Sequence, residues 1–206
     1  MNQASEEIAA AAARWVVEEG LSFGAAKLKA VKSLGLSARA PLPSNDQVED
    51  EVLTYLELFC ADTHPFELKA LRLEALKWME RLSEFNPYLA GSVWRGSATK
   101  LSDIYLQLFC EDPKSLEIEL INQKVDYEAR SIKGFKGESV DALSINVLIQ
   151  ELETYVGLHL MVYDYDDLRG ALKPDSKGRS ERGNLISLKG LLSTNDHSPQ
   201  STSHDF

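Results

Sequence analysis

The sequence predicts an α+β fold, with an N-terminal helical region followed by a region of mixed strands and helices. Three observations carry this reading. Apolar residues recur at helical spacing through the first eighty-odd positions; the spacing shortens to period two after Asn86-Pro87; glycine and proline mark the joins. At 206 residues, 44% hydrophobic and 26% charged, the chain has the composition of a globular protein able to bury a core.

Taken in order, Ser5 with Glu6 and Glu7 opens a first helix through AAAAARWVVEE, which Gly20 stops. A second covers about Ala25 to Leu34 and ends at Gly35. Pro41 and Pro43 mark a linker, after which Ser44, Asn45 or Asp46 caps a helix carrying Val48, Val52, Leu53, Leu56 and Phe59. A fourth runs from about Pro65 to Phe85. These stripes read as core and helix packing. PYLAGSVWRG then reads as a strand ending in a turn, and DIYLQLFC as a strand. Residues 116–134 fit either a hairpin or a helix and a strand. LSINVLIQELETYVG reads as a helix ending at Gly157, HLMVYDY as a strand, and DDLRGAL as a short helical turn. The expected organisation is a helical region over 1–64, a second domain over 65–192 and a disordered polar tail over 193–206.

One octapeptide occurs twice in near-identical form. YLELFCAD (55–62) and YLQLFCED (105–112) agree at six of eight positions. The first sits in a helix-period pattern and the second in an alternating one, so this is coincidence and not duplication.

The chemistry concentrates in YLAGSVWRGSATKLSDIYLQLF. Gly91 lets the backbone approach a ligand closely, and Ser92 adds a hydroxyl beside free N–H groups. Arg95 can contact phosphate or brace the loop, and Gly96 permits the turn. Asp103 opens a strand and points the same way as Tyr105, because strand side chains alternate. This skeleton, Gly-Ser, two residues, Arg-Gly, five residues, Ser-Asp, closely resembles the signature of the DNA polymerase beta-like nucleotidyltransferases of the minimal type. The resemblance covers roughly 66–172. It implies a mixed β-sheet flanked by helices, a triphosphate held by Gly91, Ser92, Arg95 and Gly96, and Asp103 as catalytic residue and magnesium ligand.

Departures from that family pattern are equally specific. Two carboxylates two residues apart share one strand face and can bridge a pair of metal ions, but the second place is Tyr105. A phenol, with a reference pKa of about 10, is a poor ligand for a hard cation. The third carboxylate place falls on Met161, or alternatively on Asn146. The combination implies a catalytically impaired, nucleotide-sensing or protein-binding module, with weak Mg2+ and NTP binding; the alternative is an active metal-dependent nucleotidyltransferase. Asp126 and Glu128 read as a solvated strand face, Asp164, Asp166 and Asp167 as a loop and helix start, and His159 as a strand residue without an acidic partner.

Formal net charge is −10, which argues against nucleic acid as partner. Lys27, Lys29, Lys32 and Arg39 read as a solvated helix face. Cys60 and Cys110 lack metal-ligand spacing and read as free thiols. No apolar run approaches the roughly 20 residues that span a bilayer, so the expected setting is cytoplasmic, with no membrane and with a protein partner on the N-terminal helices.

Overall fold

A computed structural model describes residues 3–175 and 178–195. It begins with three helices, α1 (Gln3–Glu19), α2 (Phe23–Ser33) and α3 (Asn45–Phe59), followed by the long α4 (His64–Arg81). Helix ends follow the local chemistry. Ser22 caps α2 by accepting the Ala25 N–H, and Ser44 with Gln47 forms a reciprocal capping box on α3. Gly20 and Gly35 end α1 and α2 with φ of +66° each, a conformation that favours glycine.

The second region alternates elements: β1 (Tyr88–Ala90), α5 (Gly91–Arg95), β2 (Ile104–Cys110), α6 (Pro113–Asn122), β3 (Glu128–Lys133), β4 (Ser139–Ile149), β5 (Thr154–Asp164), α7 (Leu168–Ala171), β6 (Arg182–Asn184) and α8 (Leu185–Asn195). One six-stranded sheet results, in the order β3-β4-β5-β2-β1-β6. The β2–β5 pair is parallel and the others antiparallel, so the sheet is mixed. The expected α+β class, with a helical region in front of a helix-flanked mixed sheet, is observed.

Two apolar clusters account for most of the burial. Ile8, Ala12, Ala26, Val48, Val52 and Leu56 close α1–α3 on one another. Leu71, Met79, Leu106, Leu108, Leu158 and Leu160 belong to the main core, formed between one sheet face and helices including α4, α6 and α8. Each such leucine, fully buried, contributes about 1.5–3 kcal/mol of transfer free energy. The opposite sheet face is covered only at one end, where Phe109, Met161 and Tyr163 pack with Phe135 and Ala171. That leaves the other end, at the start of β2, available for a site.

Several expectations are corrected here. Residues 143–157 are not a helix ending at Gly157: they form β4, a 3-10 turn over Gln150–Leu152, and the start of β5. Leu143, Ile145 and Ile149 reach the core at even spacing, while Ser144 and Asn146 share the opposite face. Glu153, with φ of +51°, turns the chain back. Of the two readings of 116–134, helix and strand is the one adopted. The disordered tail expected from residue 193 is corrected over residues 193–195, which belong to α8; residues 196–206 lie outside the described residues. Neither β6 nor α8 was anticipated. The repeated octapeptide is helical in its first copy through Phe59, which is 69% exposed, and a strand in its second, where Phe109 is fully buried.

Candidate functional site

The Gly91–Gly96 segment folds as one short helix, α5, between β1 and β2. Gly91 has φ of +71°, and a side chain there would meet the Tyr105 ring. Gly96 closes the helix at φ of +90°, with its N–H and that of Ser97 both donating to the Ser92 carbonyl. From α4, the buried Arg72 donates through Nε to the Val93 carbonyl (3.0 Å) and through Nη2 to the Trp94 carbonyl (3.1 Å). Burial holds the Arg72 guanidinium below its usual pKa. Trp94 lies against Gly183 of β6, where an added Cβ would fall 2.1 Å from the indole. The turn is therefore gripped from both sides. Nothing in the local sequence around residues 72 or 183 announces either contact.

Arg95 is drawn away from a purely ligand-facing role. Its Nε donates to Glu49 Oε1 of α3 at 2.8 Å, and the Ser97 hydroxyl donates to the same oxygen at 2.7 Å. Glu49 is 1% exposed, so this ion pair lies inside the join between the N-terminal helices and the sheet region. Of the two roles open to Arg95 in the sequence, bracing is realised, although the residue still lines the cleft.

That cleft, of about 320 Å³, is the first of two cavities at the start of β2. Ser92, Arg95, Ser102, Asp103 and Tyr105 line one wall, and Leu21 to Phe23 of the α1–α2 junction line the other. The N-terminal helices thus contribute part of the cleft wall. Gly20 permits this approach: a Cβ there would lie 3.0 Å from Leu101.

Asp103 and Tyr105 share one sheet face, as alternation requires. Asp103 is already engaged. Oδ1 accepts the Gly157 N–H at 3.0 Å, and Oδ2 accepts from His159 Nε2 at 3.2 Å. The His159 hydrogen bond holds the Asp103 carboxyl below its usual pKa, against the opposing effect of burial. Burial, and then the Asp103 charge, push the Tyr105 phenol up, so it stays protonated at neutral pH.

The register sets the neighbours of Tyr105. Met161 pairs with Gln107 and Asn146 with Gly157, whereas His159 lies directly beside Tyr105 on the parallel neighbour β5. The rings of Tyr105 and His159 stack with centroids 4.9 Å apart. His159, which has no acidic partner nearby in sequence, finds one 56 residues away. Among the described residues, no three His, Cys, Asp or Glu side chains are placed to hold a metal ion. One carboxylate committed to an imidazole and a backbone N–H, beside a neutral phenol, does not fit the donor set of a paired divalent-metal centre.

No protein-family model matches the chain, and no curated protein matches it in sequence. The reading of this site therefore rests on its own geometry.

Other candidates fall into structural roles. Asp112 caps α6 by accepting the Lys114 N–H, and Asp164 caps the turn that follows β5. Glu128 pairs with Arg130 on β3, and Asp167 with Lys136. Lys27 donates to the Pro43 carbonyl and Asn45, while Lys29 pairs with Glu19 over the Trp15 ring. These lysines fasten the α1–α3 unit. Cys60 and Cys110 are free thiols. No helix among the described residues is long and apolar enough to cross a membrane.

Proposed function

We propose that this protein is a nucleotidyltransferase-like nucleotide-binding module that has given up two-metal chemistry. The observation that carries this reading is the pairing of a retained turn with a diverted carboxylate. The Gly91–Gly96 turn opens onto the cleft with Ser92 and Arg95 on its wall, while both oxygens of Asp103 are engaged by Gly157 and His159.

Each part has a physical role in the proposal. The first N–H groups of α5 have no acceptor one turn earlier, and of the residues that carry them Ser92 lines the cleft. Ser92 adds a hydroxyl donor and Arg95 a positive charge. Phe23 and Tyr105, on opposite walls, offer ring surface to a base. Magnesium would have Asp103 as its single carboxylate at this position, so the ligand is expected to depend little on a divalent cation.

Titration of the full chain with ATP, in magnesium and in EDTA, tests the proposal. The expected result is comparable binding in both, weakened by Ser92→Ala, with no release of pyrophosphate. Magnesium-dependent transfer of a nucleotidyl group that is lost in Asp103→Ala would favour the active-enzyme alternative and overturn this reading.

A further inference from the structure

The second cavity, of about 310 Å³, lies on the other side of Asp103. Ser144, Asn146, His159 and the Glu128–Arg130 ion pair line it, together with Tyr155, and Asp103 is the one residue it shares with the nucleotide cleft. Within it three side chains, from β4, β5 and the residue before β2, are joined by hydrogen bonds. Asp103 Oδ2 meets His159 Nε2 at 3.2 Å, and His159 Nδ1 meets the Ser144 hydroxyl at 2.9 Å. Ser144 and His159 are direct cross-strand partners on β4 and β5, so their spacing is set by the ladder.

This line has a defined polarity. An ionised Asp103 can only accept, so a neutral His159 carries its proton on Nε2 and leaves Nδ1 to accept from Ser144. The imidazole cannot easily turn away. Tyr105 stacks on it, and its side chain is only 14% exposed. Hydroxyl, base and orienting carboxylate are the components of an activated oxygen nucleophile.

We propose that Ser144 is a nucleophile and His159 its general base in a second, hydrolytic site for small carboxylic esters, with Asp103 as a positioning residue. Ser144 Oγ attacks the ester carbonyl while its proton passes to His159 Nδ1. The C–O bond to the alcohol breaks, and the departing alkoxide takes that proton. Water then gives a proton to Nδ1 and adds to the acyl carbon. The bond to Oγ breaks, Ser144 recovers the proton, and the acid leaves. The Asn146 carboxamide lines the same cavity and would be the donor for the developing oxyanion, whereas Arg130 is held by Glu128 at the rim. The cavity volume lies at the lower end of ligand-pocket sizes, about 300–1,000 Å³, and restricts the substrate to short esters.

Treatment of the full chain with a fluorophosphonate probe, followed by peptide mapping, tests this. The expected result is modification at Ser144, slowed about 100-fold in His159→Gln, together with p-nitrophenyl acetate hydrolysis that disappears in Ser144→Ala. Absence of modification at Ser144, or a rate unchanged by His159→Gln, overturns it. If His159→Gln fails to fold, Ser144→Cys decides: its new thiol should react with iodoacetamide at neutral pH faster than free cysteine, and an equal or slower rate refutes the proposal. Nitrogen NMR of His159 should show the proton on Nε2 in the parent chain and a shifted tautomer balance in Asp103→Asn. An unchanged balance removes Asp103 from the scheme. None of these readouts involves nucleotide, so failure here and failure of nucleotide binding are separately visible.

Discussion

Asp103, the residue immediately before β2, and His159 on β5, the parallel neighbour of β2, meet at 3.2 Å. The carboxylate expected to hold metal is thereby tied to an imidazole. A glycine makes the arrangement possible. Gly157 is the residue whose N–H reaches Asp103 Oδ1, and a Cβ on it would lie 2.7 Å from that oxygen. Gly157→Ala should therefore push Asp103 aside and cost about 1–3 kcal/mol, as overpacking does. Urea unfolding checks the stability loss. Nitrogen NMR of His159 should report the broken contact, and an unchanged spectrum would contradict this geometry.

Glu49 and Arg95 tie the helical region to the cleft. Glu49→Ala leaves Arg95 Nε and the Ser97 hydroxyl without their shared acceptor inside the join. Arg95 is 28% exposed and borders the open cleft, so the expected cost is about 1–3 kcal/mol, that of unsatisfied donors. Replacing both partners with apolar groups is often close to neutral. Chemical denaturation should show this loss in Glu49→Ala and substantial recovery in Glu49→Leu with Arg95→Met. Equal losses in the two variants would contradict a desolvated pair.

Arg72 holds the turn through two main-chain carbonyls. Arg72→Met keeps much of the buried aliphatic volume and removes both donors. Charged hydrogen bonds contribute about 1.5–3 kcal/mol each, so a drop of about 2–4 kcal/mol in unfolding free energy is expected after packing offsets part of the loss. Amide hydrogen exchange over residues 91–97 should rise by more than exchange in β4. Uniform change across the chain would argue against a local role for Arg72.

The pH dependence has two limbs of known sign. Asp103 has a lowered pKa in the folded chain, mainly through its hydrogen bond to His159. Its contribution is present above the unfolded value of about 4 and is lost as pH falls through the folded value. Tyr105 has a raised pKa, first from burial and then from Asp103. Its contribution is present below the unfolded value of about 10 and disappears as pH rises through the folded value. Thermal unfolding against pH should lose part of its acid limb in Asp103→Asn and part of its alkaline limb in Tyr105→Phe. The opposite assignment of limbs would contradict the shifts.

The sequence exposed some levels of this structure more readily than others. The helices before Pro87 were legible because their stripes and caps are local, as with Ser44 and Gln47 on α3. The strand at 104–110 was legible from its alternation. The strand at 139–149 was missed because Leu143, Val147 and Leu148 also suit a helix, and only pairing with β5 selects the extended form. Arg95 was visible as a special residue, but its partner Glu49 lies 46 positions earlier. His159 was set aside for lack of an acid nearby, whereas the parallel register of β2 and β5 supplies one. Charge and hydroxyl chemistry could be read locally; which residues meet across the sheet could not.

The central proposal is a phosphate-binding turn that works without paired metal ions. Its most direct test is ATP binding by isothermal titration in magnesium and in EDTA, on the full chain and on Ser92→Ala. The account predicts similar affinity with and without magnesium, reduced affinity in the variant, and no pyrophosphate. Binding that appears only with magnesium and is followed by nucleotidyl transfer, or no binding under either condition, would contradict it.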